Sequence, residues 1–162
     1  MLVRSRGLGD VYKRQGPPRL DWQFASQGFG SGVAKLPADY DSTKQRYQLY
    51  VPTVKKKSWP LIVFISPGDK PAGLSAFKSV CDREGVLFCS PFAAGNAVLG
   101  GQRERIVLDK LDDGRRTYPV DPDQTYLSGF SGGGRMACAI GFALPECFGG
   151  IAPVCGTNPV SR

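Results

Sequence analysis

The chain has 162 residues, which is enough for one domain and too few to argue for two. Hydrophobic residues make up 41% and charged residues 22%, as in ordinary globular proteins, and this excludes disorder over most of the chain. The formal charge is +7, but the basic residues are scattered, and no apolar run approaches the roughly 18 residues of a membrane span. The sequence therefore predicts no membrane span and no nucleic-acid partner, with the triplet Lys55-Lys56-Lys57 interpreted as a solvated loop.

Residues 1–15 (MLVRSRGLGDVYKRQ) differ from the rest of the chain. They have no amphipathic period, and they lack the apolar stretch with a small-residue cleavage site that marks a signal peptide. The string resembles library adapter translated as protein, and a genuine disordered tail is the alternative. We therefore expect residues 1–15 to pack against nothing and the domain to occupy residues 16–162.

The first predicted elements are strands. Residues 16–45 have no sustained period and are interpreted as an irregular lead-in with one short edge strand at 32–36. Apolar residues alternate over 47–51, which predicts a half-buried strand that ends at Pro52. The continuous apolar run Leu61–Ile65 is typical of a strand buried on both faces of a parallel sheet.

Helices and strands alternate over the rest of the chain. Apolar residues at helical spacing predict helices over 74–85, 107–118 and 132–144. Apolar runs predict strands over 86–89, 125–128 and 148–155, with a turn at 121–123. Repeated strand–helix–strand units require right-handed crossovers. The predicted fold class is therefore α/β, a mostly parallel sheet with helices on both faces.

One motif in this order carries chemistry. Gly129-Phe130-Ser131-Gly132-Gly133 fits G-x-S-x-G between a predicted strand and a predicted helix, the setting in which the serine is a catalytic nucleophile. Glycines are expected at 129 and 133, because the turn is too sharp for side chains. The N–H of Gly132, at the positive end of the helix, is a candidate oxyanion donor. The alternative is a glycine-rich turn with an unreactive serine.

A second oxyanion donor is expected in the loop after an earlier strand. That loop is Ser66-Pro67-Gly68-Asp69, and the backbone N–H of Asp69 is the candidate. A plain tight turn before the helix is the alternative. Asp69 is not expected to be the triad acid, because with this motif the acid and the histidine follow the serine in the chain.

Residues 47–158 resemble the polyhydroxybutyrate-depolymerase and feruloyl-esterase branch of the α/β-hydrolases. The matching parts are 47–52, 60–68, 120–134 and 148–156, and the stretch from Asp121-Pro122 to the serine motif is the most specific. The resemblance implies an α/β-hydrolase fold and a serine esterase that acts on hydroxyacyl, feruloyl or acetyl esters of small molecules or polymers. It also implies a location outside the cell or in the cell envelope.

Two departures from that family matter. The family has His-Gly after the early strand, whereas this chain has Pro67-Gly68. The oxyanion loop therefore lacks the histidine side chain, while its backbone N–H donors are still expected. The chain also has no histidine, although a serine hydroxyl needs a nearby general base. We interpret the chain as an N-terminal part, inactive alone, with the acid and the histidine downstream of the strand that ends at Cys155. The alternative is a degenerate relative that binds a ligand without catalysis.

A dinucleotide-binding domain is the remaining alternative. Gly132, Gly134 and Ala137 fit G-x-G-x-x-A after a strand, but the acidic residue expected about 20 residues later is missing from 151–158. We therefore expect no cofactor. The five cysteines form no C-x-x-C pair and have no histidine beside them, so no metal site is expected, and a disulfide is left open. The sequence does not distinguish an esterase from a thioesterase or a peptidase.

Overall fold

The computed structural model describes residues 10–14 and 40–157, and over these residues six strands form one sheet. The strands are β1 Asp10–Arg14, β2 Arg46–Tyr50, β3 Trp59–Ile65, β4 Leu87–Pro91, β5 Val120–Phe130 and β6 Gly150–Val154. The helices are α1 Leu74–Glu84, α2 Gly100–Thr117 and α3 Gly132–Ala143. Short 3₁₀ turns lie at Ser42–Lys44 and Pro145–Cys147. The predicted strands and helices from residue 47 onward are present, with bounds shifted at their ends.

The sheet order is β1-β2-β4-β3-β5-β6. Strands β4, β3, β5 and β6 run parallel to one another, whereas β2 pairs antiparallel with β4 and β1 pairs antiparallel with β2 at one edge. The predicted mostly parallel sheet is thus confirmed. Because the four parallel strands end at the same edge, the loops that follow them meet there.

Alternate residues of β3 pack against different helices. Leu61, Val63 and Ile65 belong to a core cluster that includes residues of α2 and α3. Phe64, with the partly buried Ile62, belongs to a second cluster with residues of α1. Helices therefore cover both faces of the sheet, as predicted, and the apolar run in β3 is continuous because both of its faces are covered.

Helix α2 buries charged side chains that its sequence pattern does not mark as core. The Arg105 guanidinium donates to Asp109 at 2.8 Å, and the Tyr47 hydroxyl donates to Asp113 at 2.6 Å. Lys110 is fully buried, with its ammonium group against the Cys89 thiol. The Arg105–Asp109 pair lies within the helix, whereas the contacts of Asp113 with Tyr47 and of Lys110 with Cys89 hold the helix to the sheet in addition to its apolar face.

The structure differs from the sequence prediction near the N-terminus. Residues 10–14 do not stand apart: they pair antiparallel with β2, from Asp10 opposite Tyr50 to Arg14 opposite Arg46. An edge strand is held by main-chain hydrogen bonds, so a segment without an amphipathic period can still pair with the sheet. The rest of residues 1–15 and the predicted edge strand at 32–36 lie outside the described residues, and the domain boundary at residue 16 stays a prediction.

The predicted turn at 121–123 is present, but it lies inside strand β5. The Asp121 carboxylate accepts from the N–H of Asp123 at 3.0 Å, and its main-chain oxygen accepts from the Thr125 hydroxyl at 2.9 Å. The pairing with β3 consequently skips from Val120 directly to Thr125. The turn therefore lies outside the pairing with β3. Because Val120 before it is already paired, β5 begins earlier than predicted.

Candidate active site

Ser131 lies between the end of β5 and the start of α3, where it is the N-cap residue of the helix. Its backbone has φ 53° and ψ −118°, a conformation that residues other than glycine rarely adopt. Its N–H donates to the main-chain oxygen of Val154 at 2.8 Å, and its own oxygen accepts from the N–H of Arg135 at 3.1 Å. These two bonds hold the serine in a strained turn at the carboxyl edge of the sheet.

Two glycines allow the backbone segments around Ser131 to touch. A Cβ on Gly129 would lie 2.5 Å from the carbonyl carbon of Gly133, and a Cβ on Gly133 would lie 1.9 Å from the main-chain oxygen of Ile65. Both distances are far inside van der Waals contact, so neither position accepts a side chain without movement of the backbone. The spacing of the motif thus follows from how closely β3, β5 and α3 approach each other.

The loops after β3 and β4 are bonded to each other beside this turn. The main-chain oxygen of Asp69 accepts from the N–H of Ala93 at 2.8 Å, and its carboxylate accepts from the N–H of Gly95 at 3.2 Å. The N–H of Asn96 donates to the main-chain oxygen of Pro67 at 2.8 Å. Three hydrogen bonds therefore fix the predicted oxyanion loop against residues 93–96.

Arg103 ties helix α2 to both of these loops. Its side chain is buried, and its guanidinium donates to the main-chain oxygen of Ala94 and, at 3.1 Å, to that of Ser66. Burial lowers the pKa of Arg103. Both of these hydrogen bonds go to main-chain oxygens, so the guanidinium links the two loops to helix α2.

The side chain of Asn96 lies directly against the backbone that follows Ser131. A Cβ on Gly132 would lie 2.0 Å from Asn96 Oδ1, so glycine is needed here for the asparagine to reach this place. Beside these two residues a cavity of about 440 Å³ opens between α2 and α3. Its polar lining comes from Asn96, Arg103, Glu104 and Arg135.

Glu104 is the buried carboxyl group of this cavity. The residue is 7% exposed, and within the described residues its Oε2 atom has no hydrogen-bond partner. Burial raises the pKa of Glu104 from 4.5 to about 7. A carboxyl group with a raised pKa thus belongs to the wall of the cavity beside Gly132, the residue that follows Ser131.

Comparisons with known proteins agree with this architecture. No family model matches the chain. The poly(3-hydroxybutyrate) depolymerase of Ralstonia pickettii is 29% identical over 98 residues, which are 51% of this chain and 20% of that protein. Among solved structures, an acetyl xylan esterase from Aspergillus awamori is similar with a TM-score of 0.61 at 16% identity, over 72% of this chain and 48% of the esterase. A ferulic acid esterase is similar with a TM-score of 0.54 at 20% identity, over 66% of this chain and 52% of that chain.

The strand order, the serine turn after β5 and these similarities decide the fold. The chain has the α/β-hydrolase fold. The similar proteins include a poly(3-hydroxybutyrate) depolymerase and a ferulic acid esterase, which is consistent with the resemblance found in the sequence. The chain spans 20% of the length of the curated relative and about half of the two solved esterases.

The predicted site residues fall at distinct places in this fold. Ser131 occupies the strand-to-helix turn, with Gly129 and Gly133 packed around it, and Gly132 is the first residue of α3. Asp69 lies in the loop after β3, where it accepts hydrogen bonds from the loop after β4. The nucleophilic role of Ser131 and the oxyanion roles of Gly132 and Asp69 stay predictions.

Sequence reasoning missed three residues of the site: Asn96, Arg103 and Glu104. A signal exists for Asn96, because a polar side chain shortly after a buried parallel strand lies at the edge where ligands bind. Arg103 and Glu104 give no such signal, since charged neighbours on a helix are typical of a solvated face. They are buried beside the cavity because α2 packs against the two loops.

The structure gives no support to a dinucleotide site. In a dinucleotide-binding domain the pyrophosphate would bind at the start of this helix. Here the Asn96 side chain packs against Gly132 at that place, and a Cβ on Gly134 would lie 2.5 Å from the main-chain oxygen of Gly156. Within residues 10–14 and 40–157, no group of three potential metal ligands occurs, and no helix is both long and apolar enough to cross a membrane. All five cysteines are free thiols.

Proposed function

We propose that the protein is a serine hydrolase of carboxylic esters and that Ser131 is its nucleophile. The observation that carries the proposal is the strained conformation of Ser131 at a strand-to-helix turn in an α/β-hydrolase fold. The esterases and the depolymerase among the similar proteins support the same reaction class.

In the proposed reaction, Ser131 Oγ attacks the ester carbonyl carbon and gives its proton to a general base. The carbonyl oxygen becomes an oxyanion, which the N–H groups of Gly132 and Asp69 stabilise as hydrogen-bond donors. The positive end of α3 lies at the same place and favours the developing charge. Collapse of the tetrahedral intermediate releases the alcohol, which takes the proton from the base, and water then hydrolyses the acyl-serine to the free acid and restores the Ser131 hydroxyl.

The base is the part that these 162 residues do not supply, because they contain no histidine. We propose that a carboxylate and a histidine, in that order after Ser131, act with it in a longer gene product. The 162 residues alone are then inactive, since an unactivated serine hydroxyl is a weak nucleophile at neutral pH.

Hydrolysis of p-nitrophenyl acetate tests this proposal. The 162-residue chain should release p-nitrophenol no faster than its Ser131→Ala variant, whereas a gene product that includes the downstream histidine should be active. In that longer protein, Ser131→Ala should remove turnover; in a serine protease, loss of the nucleophile costs on the order of 10⁶. Activity that survives Ser131→Ala would overturn the proposal.

A ligand-binding module without catalysis is the second candidate. The observation that favours it is the absence of histidine from the chain. A longer reading frame that also lacks a histidine after Ser131 would select this candidate, because the serine would have no imidazole to accept its proton.

A further inference from the structure

A buried lysine and a buried cysteine form a contact that the proposed hydrolysis does not use. Lys110 of α2 and Cys89 of β4 are both fully buried, and the Lys110 Nζ atom lies against the Cys89 Sγ atom. A lysine is almost never fully buried unless a charged group is paired with it. Among the residues that the structure describes, however, no carboxylate forms a salt bridge with Lys110. The partner that the fold supplies to this nitrogen is therefore the sulfur.

The surroundings of the pair keep the two atoms together. The Tyr47 ring centroid lies 5.6 Å from Lys110 Nζ, and the hydroxyl of this tyrosine donates to Asp113. The Cys89 thiol donates to the main-chain oxygen of Ile62 at 3.3 Å. Burial raises the pKa of the Cys89 thiol and Lys110 opposes the rise, so we expect this thiol to react more slowly than an exposed one.

Burial also decides which groups can react with the sulfur. Hydrogen peroxide is little larger than water and can enter during local opening of the fold, whereas a bulky thiol such as glutathione is kept out. An oxidised cysteine, a sulfenic acid, condenses either with a second thiol or with a nitrogen. Cys81, the buried cysteine of α1, belongs to the core cluster on the other face of the sheet from Cys89. The nucleophile in contact with the sulfur is the Lys110 nitrogen.

We propose that Cys89 and Lys110 are a site of oxidative modification, at which hydrogen peroxide joins the two side chains as a sulfenamide. In the first step the sulfur attacks peroxide: an S–O bond forms, the O–O bond breaks, and the departing hydroxide takes the thiol proton and leaves as water. Lys110, in its amine form, then attacks the sulfur: an S–N bond forms, the S–O bond breaks, and the hydroxide takes a proton from the nitrogen. One thiol, one amine and one peroxide thus give one sulfenamide and two waters, and the two electrons that the sulfur loses reduce the peroxide.

Peptide mass spectrometry on the folded 162-residue chain tests the inference. Exposed thiols such as Cys155 are first blocked with iodoacetamide, and hydrogen peroxide is then added. Trypsin leaves Cys89 in the peptide 84–103 and, because it does not cleave after a modified lysine, Lys110 in the peptide 106–115. We expect these peptides as one joined species that is lighter than their sum by two hydrogen atoms. Dithiothreitol should separate them, since a thiol reduces the S–N bond.

Two variants and an unfolded sample show whether the contact forms the link. Lys110→Met keeps an unbranched side chain without the nitrogen, and Cys89→Ser removes the oxidisable sulfur, so neither variant should give the joined species. The parent chain treated in guanidinium chloride should not give it either, because the two residues are then apart. Absence of the joined peptides from the folded parent, equal formation in the unfolded chain, or a link from Cys89 to another lysine would overturn the inference. The deciding sample is the parent chain, so the result depends neither on the folding of the variants nor on the role of Ser131.

Discussion

Ser131 and Glu104 lie in the same small region, and each is held in a state that is unfavourable in free energy. The serine holds a backbone conformation that typically costs on the order of 1–3 kcal/mol, and two main-chain bonds keep it there. The glutamate holds a carboxyl group in a place that disfavours its charge. Unfavourable backbone and ionisation states of this kind gather at functional sites, because the rest of the fold supplies the stability that tolerates them.

The pKa of Glu104 predicts how stability depends on pH. Because burial raises this pKa from 4.5 to about 7, the folded protein holds the proton more tightly than the unfolded chain does. The free energy of unfolding should therefore fall as the pH rises through this interval, by up to about 3 kcal/mol for this group. Glu104→Gln should match the parent near pH 4 and be more stable above pH 7, as measured by urea unfolding.

Glu84→Gln provides the control for that measurement. Glu84 is exposed, and Arg83 lowers the pKa of its carboxyl group, so its substitution should not raise stability above pH 7. A Glu104→Gln variant that is no more stable than the parent at pH 8 would show that the carboxyl group is not held in an unfavourable environment.

At the scale of elements, the sequence predicted the strand, turn and helix around Ser131 because local signals coincide there. An apolar strand, the glycines of the motif and a run of small residues each favour the same arrangement. Helix α2 was predicted from its apolar face alone, and the burial of Arg103 and Glu104 was not. Periodicity reports which face is apolar, whereas the contacts of the other face depend on loops distant in sequence.

The closeness of β3 and α3 can be tested with one methyl group. Gly133→Ala should lower the free energy of unfolding by at least about 2 kcal/mol, because its Cβ would lie 1.9 Å from the Ile65 oxygen. Gly100→Ala is the matched control: it is also a helical glycine, and a Cβ there meets no atom within 4 Å. The control should be neutral or stabilising by up to about 1 kcal/mol. Equal effects at the two positions in chemical denaturation would contradict the described packing.

At the scale of the whole molecule, the sequence predicted the fold class, but not the whole sheet. The alternation of strands and helices requires parallel neighbours, which the pairing of β3 with β4 and β5 bears out. The antiparallel strand β1 was missed, because main-chain pairing leaves no apolar pattern to detect. The gathering of Asn96, Arg103 and Glu104 near the turn at Ser131 was missed for a related reason, since it follows from loop contacts rather than from local pattern.

Labelling with a fluorophosphonate tests the central claim, that Ser131 is the nucleophile, most directly. The measurement is peptide mass spectrometry on a gene product that contains these residues together with a downstream histidine. The phosphonyl adduct should lie on Ser131 and be absent from Ser131→Ala. It should also be absent from Ser128, whose buried hydroxyl donates to the Ala152 oxygen at 2.8 Å. An adduct on another residue, or equal labelling of the Ser131→Ala variant, would contradict the account.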